Sequence, residues 1–290
     1  MGDTLSEFAI LHFLEVGSAT VCYRKSGSGP ALVLFHGYPL SGHTWRKILS
    51  ELGKHFTCYA IDSVGLGHSS SRDAEDFSSE GQARVFSGTL RALGVSSYAM
   101  LANNSGGWIA RELALLEPDR VRQIVLTNTE IPGHRPPWIS LYQRLARVPG
   151  GVHIYQRMLS SRMWRRSGMG FGGCFQTPEL IETELGREFL APLLISRSRI
   201  ALALRFLFSM NFERVDRFEI LHRSLTMPVS FVWGSADPTF PEPLAREMAS
   251  QFPNVVEFRS IARGKLFMHE EFPEAVSQAV LQALGNAAVA

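Results

Sequence analysis

Between residues 30 and 128 the chain repeats one pattern, in which a short continuous apolar run is followed by a helix-like segment. The apolar runs are PALVLFHG (30–37), FTCYAID (56–62), SYAMLAN (97–103) and VRQIVLTN (121–128). Such runs are typical of strands that are buried on both faces. Helical periodicity follows in WRKILSELGKH, in residues 78–95 and in residues 105–118. Strands that alternate with helices predict a mostly parallel sheet flanked by helices.

The flanking regions complete this sheet. Residues 8–16 and 19–27 predict two antiparallel strands joined at Gly17 and Ser18. Residues 133–224 are helical in pattern and show no obvious strand, which predicts a helical insertion after the sixth strand. Strands are expected again in 227–237 and 255–262, with a last helix in 272–284. We therefore predict about eight strands, a core of residues 1–132 and 225–290, and a helical insertion of residues 133–224, which we call the cap.

Charge and hydropathy exclude several kinds of partner. The 290 residues are 45% hydrophobic and carry a formal net charge of +2. This balance gives no electrostatic signal for nucleic acid. No apolar run approaches the ~18 residues that span a bilayer, and the N-terminus lacks the pattern of a signal peptide. We expect a cytoplasmic monomer or homodimer whose partner is a small-molecule substrate, with no nucleic acid and no membrane.

Metal and disulfide motifs are not evident. The three cysteines, Cys22, Cys58 and Cys174, are far apart and have no CxxC spacing. No H-x-x-x-H pattern or carboxylate cluster with ligand spacing appears. The sequence predicts free thiols, no metal and no cofactor.

Four motifs occur in an order that one known fold shares. They are LFHGYPLSGHTW after the third predicted strand, AIDSVGLGHSS after the fourth, LANNSGGWIA at a strand-to-helix turn, and VWGSADPTFP after a late strand. Together they resemble the oxyanion loop, the D-x-x-G-x-G-x-S turn, the nucleophile elbow and the acid turn of the α/β-hydrolase fold. HGYP and GLGHSS resemble the branch of haloalkane and haloacid dehalogenases, epoxide hydrolases, esterases and C–C hydrolases.

The elbow departs from the pattern of this branch. The resemblance places Gly106 and Gly107 two and three residues after the nucleophile, so the nucleophile position falls on Asn104. An amide carries no charge and is a poor nucleophile. The backbone N–H groups of Ser105 and Tyr38 would then bind an oxyanion. A second register makes Ser105 the nucleophile, and a third interpretation keeps Asn104 only because Asn tolerates a positive φ.

The histidine of the family pattern is also missing. Counting back from Pro273 places the usual His position on Leu266. His269 lies three residues on and would share a face with Leu266 if a helical turn began there, so it is a candidate base. A solvated His269 in a first helical turn is the alternative. His36 in the HG loop is a further imidazole near the predicted site, although such loops usually give it a structural role.

The acid position is retained. Asp237 follows the FVWG strand, where the family keeps its orienting acid, and Glu130 lies in the alternative acid region. Asp237 as a plain turn residue before Pro238 is the other interpretation. Asp62 and Ser69 are expected to brace their turn through backbone hydrogen bonds. Trp138 and other aromatic residues of the predicted cap are candidates for lining an apolar pocket or for simple core packing.

Three functions remain open from the sequence. The first is hydrolysis of a halide, epoxide, ester or C–C bond in a small, largely apolar substrate. The second is a non-hydrolytic reaction of the lyase or cyclase kind, in which a preorganised pocket matters more than a nucleophile. The third is ligand binding without turnover.

Overall fold

A computed structural model describes residues 4–72, 76–136 and 138–286. Its centre is a nine-stranded sheet in the order β1-β2-β4-β3-β6-β7-β8-β9, with β5 paired to β2. The strands are β1 (His12–Val16), β2 (Ala19–Ser26), β3 (Ala31–Phe35), β4 (Thr57–Ile61), β5 (Ser70–Ser71), β6 (Tyr98–Asn103), β7 (Val121–Thr127), β8 (Val229–Gly234) and β9 (Val255–Ile261). The extra strand, relative to the eight predicted, is the two-residue β5.

Strand pairing follows the prediction from the repeated apolar runs. Neighbouring strands from β4 through β3 to β9 pair in parallel, whereas β1, β2 and β5 join the sheet by antiparallel pairing. Every residue of β6 and β8 is buried. Side chains alternate between two apolar clusters, since Val33 and Phe35 belong to one and Leu32 and Leu34 to the other. The mostly parallel, doubly covered sheet is therefore confirmed.

Helices cover both faces of the sheet. They are α1 (Thr4–Ala9), α2 (Arg46–Leu52), α3 (Ser79–Ala92), α4 (Ser105–Leu116), α5 (Ile139–Leu145), α6 (Gly151–Ser160), α7 (Arg162–Arg166), α8 (Ala191–Leu194), α9 (Arg197–Ser209), α10 (Phe212–Leu221), α11 (Glu242–Ala249), α12 (Met268–Glu271) and α13 (Pro273–Asn286). Across the described residues, none of these helices is both long enough and apolar enough to cross a membrane.

Residues 139–224, between β7 and β8, hold α5 to α10 and short 3-10 and π turns, and we refer to them as the helical segment. The helical character predicted for this part of the chain is observed. The division of the chain into a core and a cap remains a prediction.

The first predicted strand begins later than expected. Phe8 and Ala9 end α1, and β1 starts at His12. Phe8 is 1% exposed and packs in the apolar cluster that contains Ile48 and Leu52 of α2. Burial of this aromatic ring against a helix outweighs the apolar run that predicted a strand.

Candidate active site

Asn104 lies at the sharp turn between the end of β6 and the start of α4. Its backbone has a φ of 50° and a ψ of −134°, which lies outside the left-handed helical region that Asn tolerates, so backbone preference does not account for Asn at this position. The carbonyl oxygen of Asn104 accepts hydrogen bonds from Gly107 N at 2.8 Å and Thr129 Oγ1 at 2.9 Å. A Cβ atom on Gly106 would come within 2.6 Å of two backbone carbonyl oxygens on the neighbouring strand end. The elbow geometry therefore requires the small residues that predicted it.

The side chain of Asn104 is held by the HG loop. The backbone N–H of Tyr38 donates to Asn104 Oδ1 at 3.0 Å. The backbone N–H of Tyr38 can only donate, so the side-chain atom of Asn104 that faces it must be the amide oxygen. The amide nitrogen Nδ2 is then the donor end of the Asn104 side chain. The N–H group expected to bind an oxyanion thus already binds a side-chain oxygen of the elbow.

A pocket of about 80 Å³ opens beside Asn104, between the carboxyl ends of the strands and the helical segment. Its wall includes Glu130, Leu266 and Cys174. Its aromatic members are Tyr38, Trp138, Tyr142, Tyr155, Trp164, Phe171, Phe212, Phe240 and Phe267. Trp138 therefore lines the pocket as the pattern suggested. Among the described residues that line it, none is Lys, Arg or His, so the wall is apolar apart from a few neutral polar groups and one carboxyl group.

His269 does not reach this pocket, which corrects its prediction as a candidate base. Leu266 precedes α12, so the two residues do not share a helical face. His269 Nε2 lies 2.7 Å from Thr44 Oγ1, and its ring stacks on Trp45 at 4.5 Å. The alternative of a solvated residue is also wrong, since His269 is 1% exposed. Burial, with Arg46 and Lys47 nearby, lowers the pKa of His269 to about 3.

Two further predicted site residues have side chains outside the pocket wall. His36 is buried, with Nδ1 3.1 Å from Gly37 O, and Nε2 accepts from Ser63 N at 3.0 Å. Burial lowers the pKa of His36, so a neutral ring bridges the two loops as a structural brace and does not bind substrate. Ser105 is 2% exposed, and its hydroxyl has no hydrogen-bond partner among the described residues. This burial argues against the register in which Ser105 is the nucleophile; its backbone N–H remains a predicted donor.

Asp237 is buried beneath the site and is held without a histidine. Asn128 Nδ2 donates to Asp237 Oδ2 at 2.8 Å, and Thr239 N donates to Oδ1 at 2.8 Å. Burial raises the pKa of Asp237 to about 6. Asn128 and Asp237 come from the two acid regions considered in the sequence, and they bind each other here. The role of Asp237 as an orienting acid stays a prediction.

A buried polar network behind the pocket was missed by the sequence analysis. Arg111 on α4 is fully buried and donates to Gly107 O, to Thr129 Oγ1 and to the backbone oxygen of Glu130. Thr129 Oγ1 is 2.8 Å from Glu130 Oε2. The available signal was a charged residue within the apolar run WIARELALL. Arg111 therefore connects the elbow helix to the loop that carries Glu130.

The Asp62 turn is braced as predicted. Ser69 Oγ donates to Asp62 O at 2.7 Å, and Cys22 N donates to Ser69 Oγ at 2.8 Å. The carboxylate of Asp62 accepts from Gly42 N at 2.7 Å and from His68 N at 2.8 Å. These contacts confirm that Asp62 and Ser69 stabilise the turn.

Cys22, Asp62 and His68 have ligand atoms within 4.8 Å of one another, which raises the question of a metal. The donor set does not fit one, because two backbone N–H groups and a guanidinium already bind the carboxylate of Asp62. Burial and the neighbouring Asp62 also raise the pKa of the Cys22 thiol to about 12, and a metal would have to displace this proton. The guanidinium of Arg24 lies 3.3 Å from Asp62 and supplies a cation there already.

We expect Asp62→Asn to lower the free energy of unfolding by about 2 kcal/mol, because a charged acceptor is lost from buried hydrogen bonds. Burial opposes ionisation, but the hydrogen bonds from His68 and the charge of Arg24 lower the pKa of Asp62 to about 2. A lowered carboxyl pKa stabilises the fold above the unfolded value of about 3.9, and this contribution is lost as the pH falls through 2. Urea unfolding across this range should show a slope that Asp62→Asn lacks. The exposed Asp119→Asn is the control, and an equal slope in both variants would contradict the expectation.

Comparison with known proteins agrees with this geometry. A family model described as the alpha/beta hydrolase fold matches residues 30–152. Haloalkane dehalogenase 2 of Mycobacterium tuberculosis is 25% identical over 273 residues, which is 91% of each chain. Fluoroacetate dehalogenase of a Burkholderia species is 30% identical over 119 residues, 40% of this chain and 39% of that protein. The solved structure of an epoxide hydrolase without ligand has a TM-score of 0.80 at 22% identity, and the match covers 95% of this chain and 98% of that one.

The fold, the elbow and the matching family model define an α/β-hydrolase-fold protein. Its sequence relatives include dehalogenases over nearly the whole chain, and its structural neighbours have the same fold. The chain therefore has the α/β-hydrolase fold, and its sequence is similar to dehalogenases and to an epoxide hydrolase.

Proposed function

We propose that the chain is an α/β-hydrolase-type enzyme that acts on a small, largely apolar substrate in the pocket beside Asn104. The aromatic wall and the small volume support this substrate class. The names of the relatives suggest the bonds to test first, which are halides, epoxides and esters. Hydrolysis of a C–C bond is the fourth candidate.

We further propose that no covalent bond forms between substrate and Asn104. The observation that carries this is the hydrogen bond from Tyr38 N to Asn104 Oδ1, in a pocket where Leu266 stands at the usual His position. An amide has no charge with which to attack carbon, and no imidazole among the described residues lines the pocket. Asn104 instead offers Nδ2 as a hydrogen-bond donor to a substrate oxygen.

A non-hydrolytic reaction of the lyase or cyclase kind is the second candidate. The specific observation that favours it is that Asn104 and Leu266 depart together from the family pattern and line one pocket. Such a reaction needs orientation and hydrogen bonding, which this wall offers, and it needs no nucleophile and base pair.

A panel containing a haloalkane, an epoxide, an activated ester and a C–C substrate distinguishes these functions. A product that has gained water indicates hydrolysis, whereas a rearranged or cleaved product without added water indicates the second candidate. No product at all, together with thermal stabilisation by a panel compound, would contradict both and indicate a binding protein.

Two variants should be run on the compound that reacts. We expect Asn104→Leu to lower kcat/KM by at least about tenfold, because the side chain keeps its size but loses its hydrogen bonds. Ser105→Ala tests the other register, and we expect activity within about twofold of the original chain because the hydroxyl is buried outside the pocket wall. Loss of activity only in Ser105→Ala would contradict the assignment of the site to Asn104.

A further inference from the structure

Glu130 contributes the one carboxyl group of the pocket wall among the described residues, and this group forms no ion pair with any of them. The residue is 2% exposed and lines the pocket with Asn104. The nearest guanidinium, that of Arg111, donates to the backbone oxygen of Glu130 at 3.0 Å and forms no ion pair with its carboxyl group. A buried carboxylate without a partner is costly, so the protonation state of this group needs a structural explanation.

The hydrogen bonds of the Thr129 hydroxyl indicate whether Glu130 carries a proton. Thr129 Oγ1 is 2.9 Å from Asn104 O and 2.8 Å from Glu130 Oε2, and it accepts from Arg111 Nη2 at 3.3 Å. A hydroxyl has a single proton to donate. If Glu130 were ionised, the Thr129 hydroxyl could donate to only one of two oxygens, Asn104 O or Glu130 Oε2. The other oxygen would then face the hydroxyl oxygen with no hydrogen atom between them.

A proton on Glu130 Oε2 satisfies all of these contacts at once. Glu130 then donates to Thr129 Oγ1, and Thr129 donates to the backbone oxygen of Asn104. Arg111 fills the remaining acceptor site of the hydroxyl. The result is a chain of directed hydrogen bonds from the pocket wall to the elbow.

The surrounding charges are consistent with this state. Burial raises the pKa of Glu130, and the charge of Arg111, together with the contacts of the carboxyl group to its own backbone N–H and to Thr129, opposes this shift only in part. His222, which contacts Arg111 from the helical segment, has a pKa well below its usual value because of burial, so it adds no charge. Glu112, on the same helix as Arg111, is paired with Arg214 at 2.8 Å.

We propose that Glu130 is a neutral carboxylic acid in the resting protein and that it makes the pocket selective for uncharged ligands with a polar oxygen at one end. This inference deepens the proposed function and rests on it for the ligand. In this state Oε1 of Glu130 is a carbonyl oxygen that accepts from a ligand hydroxyl, while Asn104 Nδ2 donates to a ligand oxygen. Alcohols fit both contacts, whereas ketones and epoxides fit the Asn104 contact.

Anionic ligands fit poorly. No Lys, Arg or His is present among the described residues of the wall, so a carboxylate would enter an apolar cavity without a counter-ion. This distinguishes the chain from the relative named fluoroacetate dehalogenase, whose named substrate is an anion.

Infrared spectroscopy tests the protonation state without any ligand. At neutral pH, the infrared spectrum of the original chain minus the spectrum of Glu130→Gln should show the C=O stretch of a protonated carboxyl group. Thr129→Val is nearly isosteric and removes the acceptor for this proton, so the band should move to higher frequency but persist. Absence of the protonated band from the difference spectrum overturns the proposal. A band that Thr129→Val does not shift overturns the hydrogen-bond chain.

Ligand-observed NMR with butan-1-ol, butanoate and butylamine tests the ligand class, because the three probes share one apolar body. At neutral pH we expect butan-1-ol to bind at least about tenfold more tightly than butanoate. Glu130→Leu, which removes the Oε1 acceptor, should weaken the binding of butan-1-ol by about three- to tenfold. Preferential binding of butylamine that Glu130→Gln abolishes overturns the proposal, because it indicates an ionised carboxylate.

The infrared experiment tests the protonation state of Glu130, and the NMR experiment tests the ligand class of the pocket. If the protonated band is present but none of the three probes binds, the ligand class and the proposed function of the pocket fail while the state of Glu130 stands. If the probes bind but the band is missing, the pocket stands and the neutral acid is wrong.

Discussion

The double variant Asn104→Asp with Leu266→His is expected to hydrolyse haloalkanes or epoxides at a rate that neither single variant reaches. Asn104 and Leu266 line the same pocket, so the two changes place a carboxylate and an imidazole at one cavity. The backbone oxygen of Leu266 is fixed by Asn103 Nδ2 at 2.9 Å, which holds the new histidine near the elbow. Asp237 lies buried in the loop after β8, and we predict that it orients this histidine.

The size of this gain follows from what each group contributes. A carboxylate alone can attack carbon but lacks a base to activate water, and a histidine alone lacks a nucleophile. Since a positioned base contributes about 10²–10⁴-fold and acts here on hydrolysis of the ester intermediate, kcat of the double variant should exceed that of either single variant by at least about 100-fold.

Steady-state assays on the four-substrate panel measure this gain. The matched control is Asn104→Asp with Leu266→Gln, which is polar at residue 266 but has no base. Equal rates for the control and the double variant would show that the missing histidine does not limit hydrolysis. If the original chain is as active as the double variant, neither Asn104 nor Leu266 limits hydrolysis.

Arg111→Met is expected to lower the free energy of unfolding by about 3–5 kcal/mol, a larger loss than for Asp62→Asn. The methionine keeps much of the apolar stem but leaves Gly107 O, Glu130 O and Thr129 Oγ1 without their buried donor. Each unsatisfied group costs about 1–3 kcal/mol. The guanidinium also lies 4.6 Å from the centre of the Phe218 ring in α10, so its loss loosens the helical segment.

Urea unfolding at neutral pH measures the effect, with Arg122→Met as the control. Arg122 is an exposed residue of β7, and its replacement should change the free energy of unfolding by less than about 0.5 kcal/mol. A result for Arg111→Met that matches the control would mean that water replaces the lost donors and that the network does not hold the pocket loop. Weaker binding of panel compounds should accompany the loss of stability, because Glu130 is no longer positioned.

The fold and the elbow were predictable because local patterns determine them. Continuous apolar runs predict strands buried on both faces, and β6 and β8 are buried throughout. Gly106 and Gly107 predict the elbow since a Cβ atom at either position would collide with its surroundings. Trp138 lines the pocket as an aromatic residue of the predicted cap, although its contact with substrate stays a prediction.

The parts that failed depend on contacts between distant segments. His269 was expected near Leu266, but the helix begins after Leu266 and the ring packs on Trp45, which ends a 3-10 turn before α2. His36 has both ring nitrogens engaged by backbone groups, one of them 27 residues away in the chain. Arg111, Thr129 and Glu130 form a network that no spacing rule describes, because its geometry arises where α4 meets the loop after β7.

The central claim is that substrate is transformed without a covalent bond to residue 104. Its most direct test is turnover of a reactive panel compound in H₂¹⁸O, followed by the mass of the peptide that carries residues 98–110. We predict that residue 104 remains Asn and that this peptide gains no ¹⁸O, while the Asn104→Asp, Leu266→His variant gains label in its new carboxylate. A residue 104 found as Asp that gains ¹⁸O during turnover, beyond the label gained in H₂¹⁸O without the compound, would contradict the account, since it would show that a carboxylate at residue 104 takes part in the reaction.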